Sequence, residues 1–232
     1  MQFNDFKKQV AITHSGESVL ETNKVLRNTY LLLGATLSFS AVCAMLAMAA
    51  NVQMPSGFGG IILFLVGAYG LLFLTQALRN SVWGLVSCFA FTGFMGYTLG
   101  PLLNAYIANF HNGAEMIMTA LGGTGLIFFG LSAYVLTTRK NFSFLSGFLT
   151  IGIFVLLIAM VANIFLKMPA LQMVISACFT LFASAMILWQ TSEIINGGER
   201  NYVMATISLF VSIYNLFISL LQLLSIFSGD RE

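Results

Sequence analysis

The stretch "LFVSIYNLFISLLQLL", Leu209–Leu224, decides the fold. Leu, Ile, Val and Phe dominate it, yet Ser212, Tyr214 and Asn215 stand near its middle. The apolar run around it extends over 202–227. That is enough to cross ~30 Å of hydrocarbon at ~1.5 Å per residue. Six more continuous apolar runs precede it, near 28–50, 59–78, 82–104, 115–137, 143–166 and 170–192. Of the 232 residues, 58% are hydrophobic and 8% charged, against roughly 25% charged in soluble domains. A transmembrane β-barrel would show short alternating segments instead. The expected class is therefore an all-α polytopic membrane protein with seven transmembrane helices. Its domain over 28–227 follows a polar tail, 1–27, and precedes a short C-terminus, 228–232.

Polar residues in the last span follow a rule. Ser208, Ser212, Asn215, Ser219 and Gln222 are spaced 4, 3, 4, 3. This is the spacing of a helical seam, so the five share one face. A polar face along a whole span is costly against lipid. The seam is expected to point into the bundle, as interhelical hydrogen-bonding glue or as the lining of a narrow wetted path.

The basic residues give the orientation. With the N-terminus inside, the inner segments hold Lys7, Lys8, Lys24, Arg27, Arg79, Arg139, Lys140 and Arg200. The outer segments hold only Lys167 and Arg231. Seven spans then put the C-terminus outside. The tail contains nothing that could make a core and is expected to be disordered. It does not have the form of a signal peptide, because the apolar region starts late and runs long.

No acidic residue falls mid-membrane, where a proton relay or divalent-cation site would need one. Glu193 closes the sixth span at the inner face, where Arg79, Arg139 or Lys140 is expected to pair with it. Cys43, Cys88 and Cys178 fall in apolar runs and behave as small hydrophobes. His14 and His111 have no ligand-spaced partner, so no metal or other cofactor is expected. No hydrolase elbow, zincin motif, phosphate loop or nucleic-acid-binding face is present. An enzyme is not expected.

Glycine is concentrated in two spans. "GFMGYTLGP" holds Gly93, Gly96 and Gly100, and "LGGTGLIFFG" holds Gly122, Gly123 and Gly125. Both are expected to allow close helix packing. Pro101 is expected to kink or end the third span before Asn104.

"FAFTGFMGYTLGPLL" (Phe89–Leu103), "ALGGTGLIFFGLSAYVLTTRKNFSFL" (Ala120–Leu145) and "ISLFVSIYNLFISLL" (Ile207–Leu221) resemble the Bax inhibitor-1 family. The similarity covers nearly all of 22–228. It implies a bundle in which six helices surround a central seventh. It also implies a pH-sensitive calcium leak, gated by two aspartates that share a proton. Matching "WQTSEII" and "SLFVSIYNLF" to the family places those positions at Thr191 and Ser212. Two hydroxyls have no charge to trade near neutral pH and do not reproduce that switch, which leaves a calcium or cation leak as the alternative reading. "LETNKVLRNTYLLL", "MVANIFL" and "GGERNY" resemble a bacterial inner-membrane branch of the family. That branch implies a different partner, the membrane-anchored ATP-dependent protease FtsH, in a larger assembly with HflK and HflC. The polar tail, with Met1, Asp5, Lys7 and Lys8, would be the handle such a protease grips.

Overall fold

The computed structural model describes residues 2–53 and 57–229, with side chains from residue 22 onward, residue 58 apart. Seven helices follow one another: α1 (Gln2–Ala49), α2 (Phe58–Leu78), α3 (Val82–Asn109), α4 (Gly113–Thr138), α5 (Leu145–Leu166), α6 (Pro169–Ile195) and α7 (Tyr202–Gly229). Each contains a segment long and apolar enough to cross a membrane, in α1 over Thr22–Ala49. No strand occurs among the described residues. Most of the expected polar tail, including Met1, Asp5, Lys7 and Lys8, lies outside the residues described in side-chain detail, as does the C-terminus beyond 229.

Local chemistry sets the helix ends. Ser81 caps α3, accepting the Trp83 N–H at 3.3 Å. Arg139 and Lys167 close α4 and α5 in the left-handed conformation, their N–H groups donating to Val135 O and Asn163 O. Pro169 opens α6, where its missing N–H costs no bond. Pro101 does not end the third span: α3 runs through it to Asn109. The carbonyl that loses its partner is one of the groups a bundle interior can re-satisfy, which lets proline sit inside membrane helices.

α7 is the most buried span, half of its apolar window being inside the protein. It packs directly on α1, α3, α4 and α6. α2 rests mainly on α3, and α5 on α6. These flanking helices turn large side chains outward, such as Phe165 at 80% and Ile158 at 70% exposure. Hydrocarbon is the medium that suits such continuous apolar surfaces. The core runs along α7 through Val203, Leu209, Phe210, Leu216 and Leu221, and Phe210 meets Phe91 of α3 edge-on at 6.1 Å.

The tightest helix pair is α1 with α3. A Cβ built on Gly96 would overlap the carbonyl oxygen of Ser40 and lie 2.6 Å from its Oγ. One on Gly100 would lie 2.5 Å from the Ala47 Cβ and 2.9 Å from the Ala44 oxygen, and one on Gly93 2.7 Å from Phe39. The three glycines of "GFMGYTLGP" thus allow backbone-to-backbone approach. Ser40, Ala44 and Ala47 of α1 supply the matching small residues, a stripe the sequence reading did not single out.

The glycines of α4 differ from expectation. Nothing lies within 4 Å of a Cβ built on Gly122 or Gly125, and one on Gly123 makes only ordinary contact, 3.5 Å from Leu220. Gly122 is exposed and Gly123 and Gly125 are half-buried, beside a buried face of Met116, Ala120, Thr124, Phe128 and Ser132.

Candidate functional site

The seam of α7 divides between two environments. Ser212 is buried, and its Oγ donates to Gln190 Oε1 of α6 or to Ser208 O, each at 3.1 Å. Towards the other end, Ser176 Oγ of α6 donates to Gln222 Oε1 at 3.1 Å. Ser219 is buried between these levels. Asn215 departs from expectation: it is exposed, in an apolar groove of about 700 Å³ between α2, α3 and α7. Three residues along a helix is about 300° of rotation, so Asn215 stands about 60° around from Ser212. It lines the groove beside Tyr214, Met95 and Phe64.

The two positions matched to the family's aspartates are both buried, but they are not bonded to each other. Among the described residues Thr191 Oγ1 has no hydrogen-bond partner, while Ser212 turns to Gln190, the neighbouring residue on α6. The Thr29 and Ser132 hydroxyls, on α1 and α4, are buried and likewise have no partner among the described residues. An unsatisfied hydroxyl in the interior gains nothing from its oxygen. Thr191→Val keeps the shape and removes that oxygen. It is expected to leave the melting temperature unchanged or raise it slightly in detergent, a gain of up to about 1 kcal/mol. A clear loss would mean that a water or ligand holds the hydroxyl.

Hydrogen bonds at the basic end of the bundle fix the connecting loops. Ser192, fully buried, accepts the Phe142 N–H at 2.9 Å and donates to Lys140 O at 3.2 Å. This ties the α4–α5 connection to α6. Asn201 caps α7: its Oδ1 accepts from Val203 N at 3.0 Å and Met204 N at 3.1 Å. Its Nδ2 donates to Arg79 O and Asn80 Oδ1, each at 3.0 Å. Thr206 Oγ1 reaches Thr29 O on α1 at 3.3 Å.

Glu193 does not form the expected pair. Among the described residues, no cation lies within 4.0 Å of its carboxylate. Its side chain folds over Gly198, where a Cβ would collide with it. Its carbonyl accepts the Gly198 N–H at 2.8 Å. Lys140 instead sits 6.0 Å over the Tyr134 ring, and the Arg79 carbonyl is held by Asn201. Gln190, Ser192 and Asn201 were not singled out from sequence. Each is polar, beside or within a quoted motif, and an amide in a span end is the signal that marks two of them.

The seven apolar helices, with α6 and α7 hydrogen-bonded to each other, match a known family. A family model described as "Inhibitor of apoptosis-promoting Bax1" matches residues 22–229. The chain belongs to this Bax inhibitor-1 family. An uncharacterised protein of Pseudomonas aeruginosa is 60% identical over 210 residues, 90% of this chain and 92% of the relative. "Modulator of FtsH protease YccA" of Escherichia coli strain K12 is 54% identical over 221 residues, 95% of this chain and 98% of the relative. An uncharacterised membrane protein of Vibrio cholerae is 44% identical over 218 residues, covering 94% and 96%. Within the Bax inhibitor-1 family this chain is thus a multi-pass helical membrane protein similar over nearly its whole length to a protein named for modulating FtsH.

Proposed function

We propose that this chain is a non-enzymatic protein of the bacterial inner membrane that binds and modulates the ATP-dependent protease FtsH. The observation that carries the reading is the 54% identity, over 98% of its length, to a relative named as a modulator of that protease. A second strain's copy of that relative is named an inner membrane protein. The eight inner basic residues against two outer ones support a cytoplasmic N-terminus and a periplasmic C-terminus. The polar residues 1–27 then stand where a cytoplasmic ATPase can engage them, in an assembly that includes HflK and HflC. A chain that is gripped there and degraded slowly occupies the protease.

Deleting residues 2–20 tests the role of the tail. The full-length chain is expected to be turned over slowly in cells with active FtsH and to persist where the protease is inactive. The deletion is expected to lengthen its lifetime severalfold only where FtsH is active. Equal lifetimes in all four cases, together with failure of FtsH to co-purify after crosslinking, would overturn the reading.

The calcium-leak alternative has little chemical support. Ser212 is bonded to a neutral amide and Thr191 is a second hydroxyl, so neither can exchange a charge near neutral pH. Calcium flux through purified protein in vesicles is expected to match empty vesicles at about pH 6 and about pH 8, the range in which a switch would titrate.

A further inference from the structure

The ends of α4 and α6 and the start of α7 meet α1 around a cleft of about 670 Å³. Lys24, Arg139 and Arg200 line it, with Glu199 as the one carboxylate among its lining residues. Among the described lining residues, three cations stand against one acid, a net charge of +2. None of the three is in an ion pair among the described residues. Glu199 is otherwise engaged, its Oε1 accepting the Asn201 N–H at 2.8 Å. Arg139 holds the left-handed conformation, φ 49° and ψ 27°, at a helix end where glycine is the usual choice. The chain therefore carries a large cation at a strained position on the cleft wall. Asn23, Asn28 and Asn196 add amides to the lining. Leu26, Leu136 and Ile195 supply an apolar side.

We infer that this cleft binds a phosphate-bearing anion. Guanidinium groups match the phosphate oxygens bidentately, and lysine adds a mobile point charge. Its place at the helix ends puts the cleft at the depth of lipid headgroups, and basic pockets between membrane helices are suited to hold them. The phosphate can come from an anionic phospholipid, with the apolar side taking the first methylenes, or from a soluble ion. A competing account makes Arg139 only a counter-charge to the C-terminal dipole of α4. That account assigns no part to Arg200 or Lys24. The inference stands on the cleft alone and does not require the FtsH reading.

The test uses the purified full-length chain. One arm measures retention of phosphatidylglycerol over phosphatidylcholine by native mass spectrometry. The other measures the thermal shift with inorganic phosphate in a neutral detergent. Wild-type protein is expected to respond in at least one arm, the lipid arm alone marking a headgroup site and the phosphate arm alone a soluble anion. Arg139→Gln with Arg200→Gln is expected to weaken the response about tenfold or more, as loss of charge-assisted bonds implies. Glu199→Gln keeps an oxygen for Asn201 but removes the negative charge, and is expected to tighten binding severalfold. No response in either arm would overturn the inference, as would an undiminished response in a double variant that elutes like wild type. Should the double variant misfold, Glu199→Gln decides, and absence of tightening overturns it.

Discussion

Gly96→Leu is expected to leave the chain unable to form a stable bundle. The first added carbon already collides with the Ser40 carbonyl, a backbone atom that cannot rotate away. Accommodation requires α1 and α3 to separate along their most closely packed stretch, which also opens Gly100 from Ala47 and Gly93 from Phe39. Overpacking costs of about 3 kcal/mol or more follow when no side chain can yield. The measurement is the fraction of monodisperse protein after mild heating in detergent, with Gly122→Ala as control. Nothing lies within 4 Å of that second Cβ, so the control is expected to be neutral or stabilising by about 0.5 kcal/mol, from the higher helix propensity of alanine. Similar behaviour of the two variants would show that α1–α3 packing does not limit stability.

Asn201→Ala is expected to have the second largest effect, about 2 kcal/mol. One amide serves four partners. Its oxygen satisfies two of the orphan N–H groups at the start of α7, and its nitrogen holds the turn between α2 and α3 through Arg79 and Asn80. Alanine leaves the α7 end uncapped and releases the turn together. Asn201→Asp separates the two roles. It retains both cap bonds and adds a negative charge where the helix dipole favours one, but it turns an acceptor towards the Arg79 carbonyl. A loss of about half that of alanine is expected, read as the shift in thermal midpoint. Equal losses would mean the cap contributes nothing, and no loss for either would mean the loops are held elsewhere.

The number, type and ends of the helices were legible because long apolar runs leave the backbone one way to satisfy itself in lipid. Two helices differ in extent: α1 begins at Gln2, well before the apolar run that starts near 28, and Pro101, a residue expected to kink or end the third span, lies inside a helix that continues to Asn109. Direction around a helix was harder. Gly96 and Gly122 carry the same compositional signal, and only the position of α1 distinguishes them. The five seam residues do not share one environment: Ser212 and Gln222 meet α6, while Asn215 is exposed in the groove between α2, α3 and α7. Matching sequence to the family located the level of the buried polar layer through Thr191 and Ser212. It could not show that Ser212 turns to Gln190, because that depends on how α6 is rotated against α7.

The pairing of α1 with α3 has a mechanical consequence. Phe39 meets Gly93, Ser40 meets Gly96 and Ala47 meets Gly100, so residue numbers rise in the same direction on both helices. The two run parallel. Tension along α1 from its N-terminal side therefore loads these contacts in shear, all at once, instead of peeling them one after another. A motor drawing the chain in from that side would meet the bundle's stiffest joint at the first span, before any softer flank such as α2 or α5 could yield.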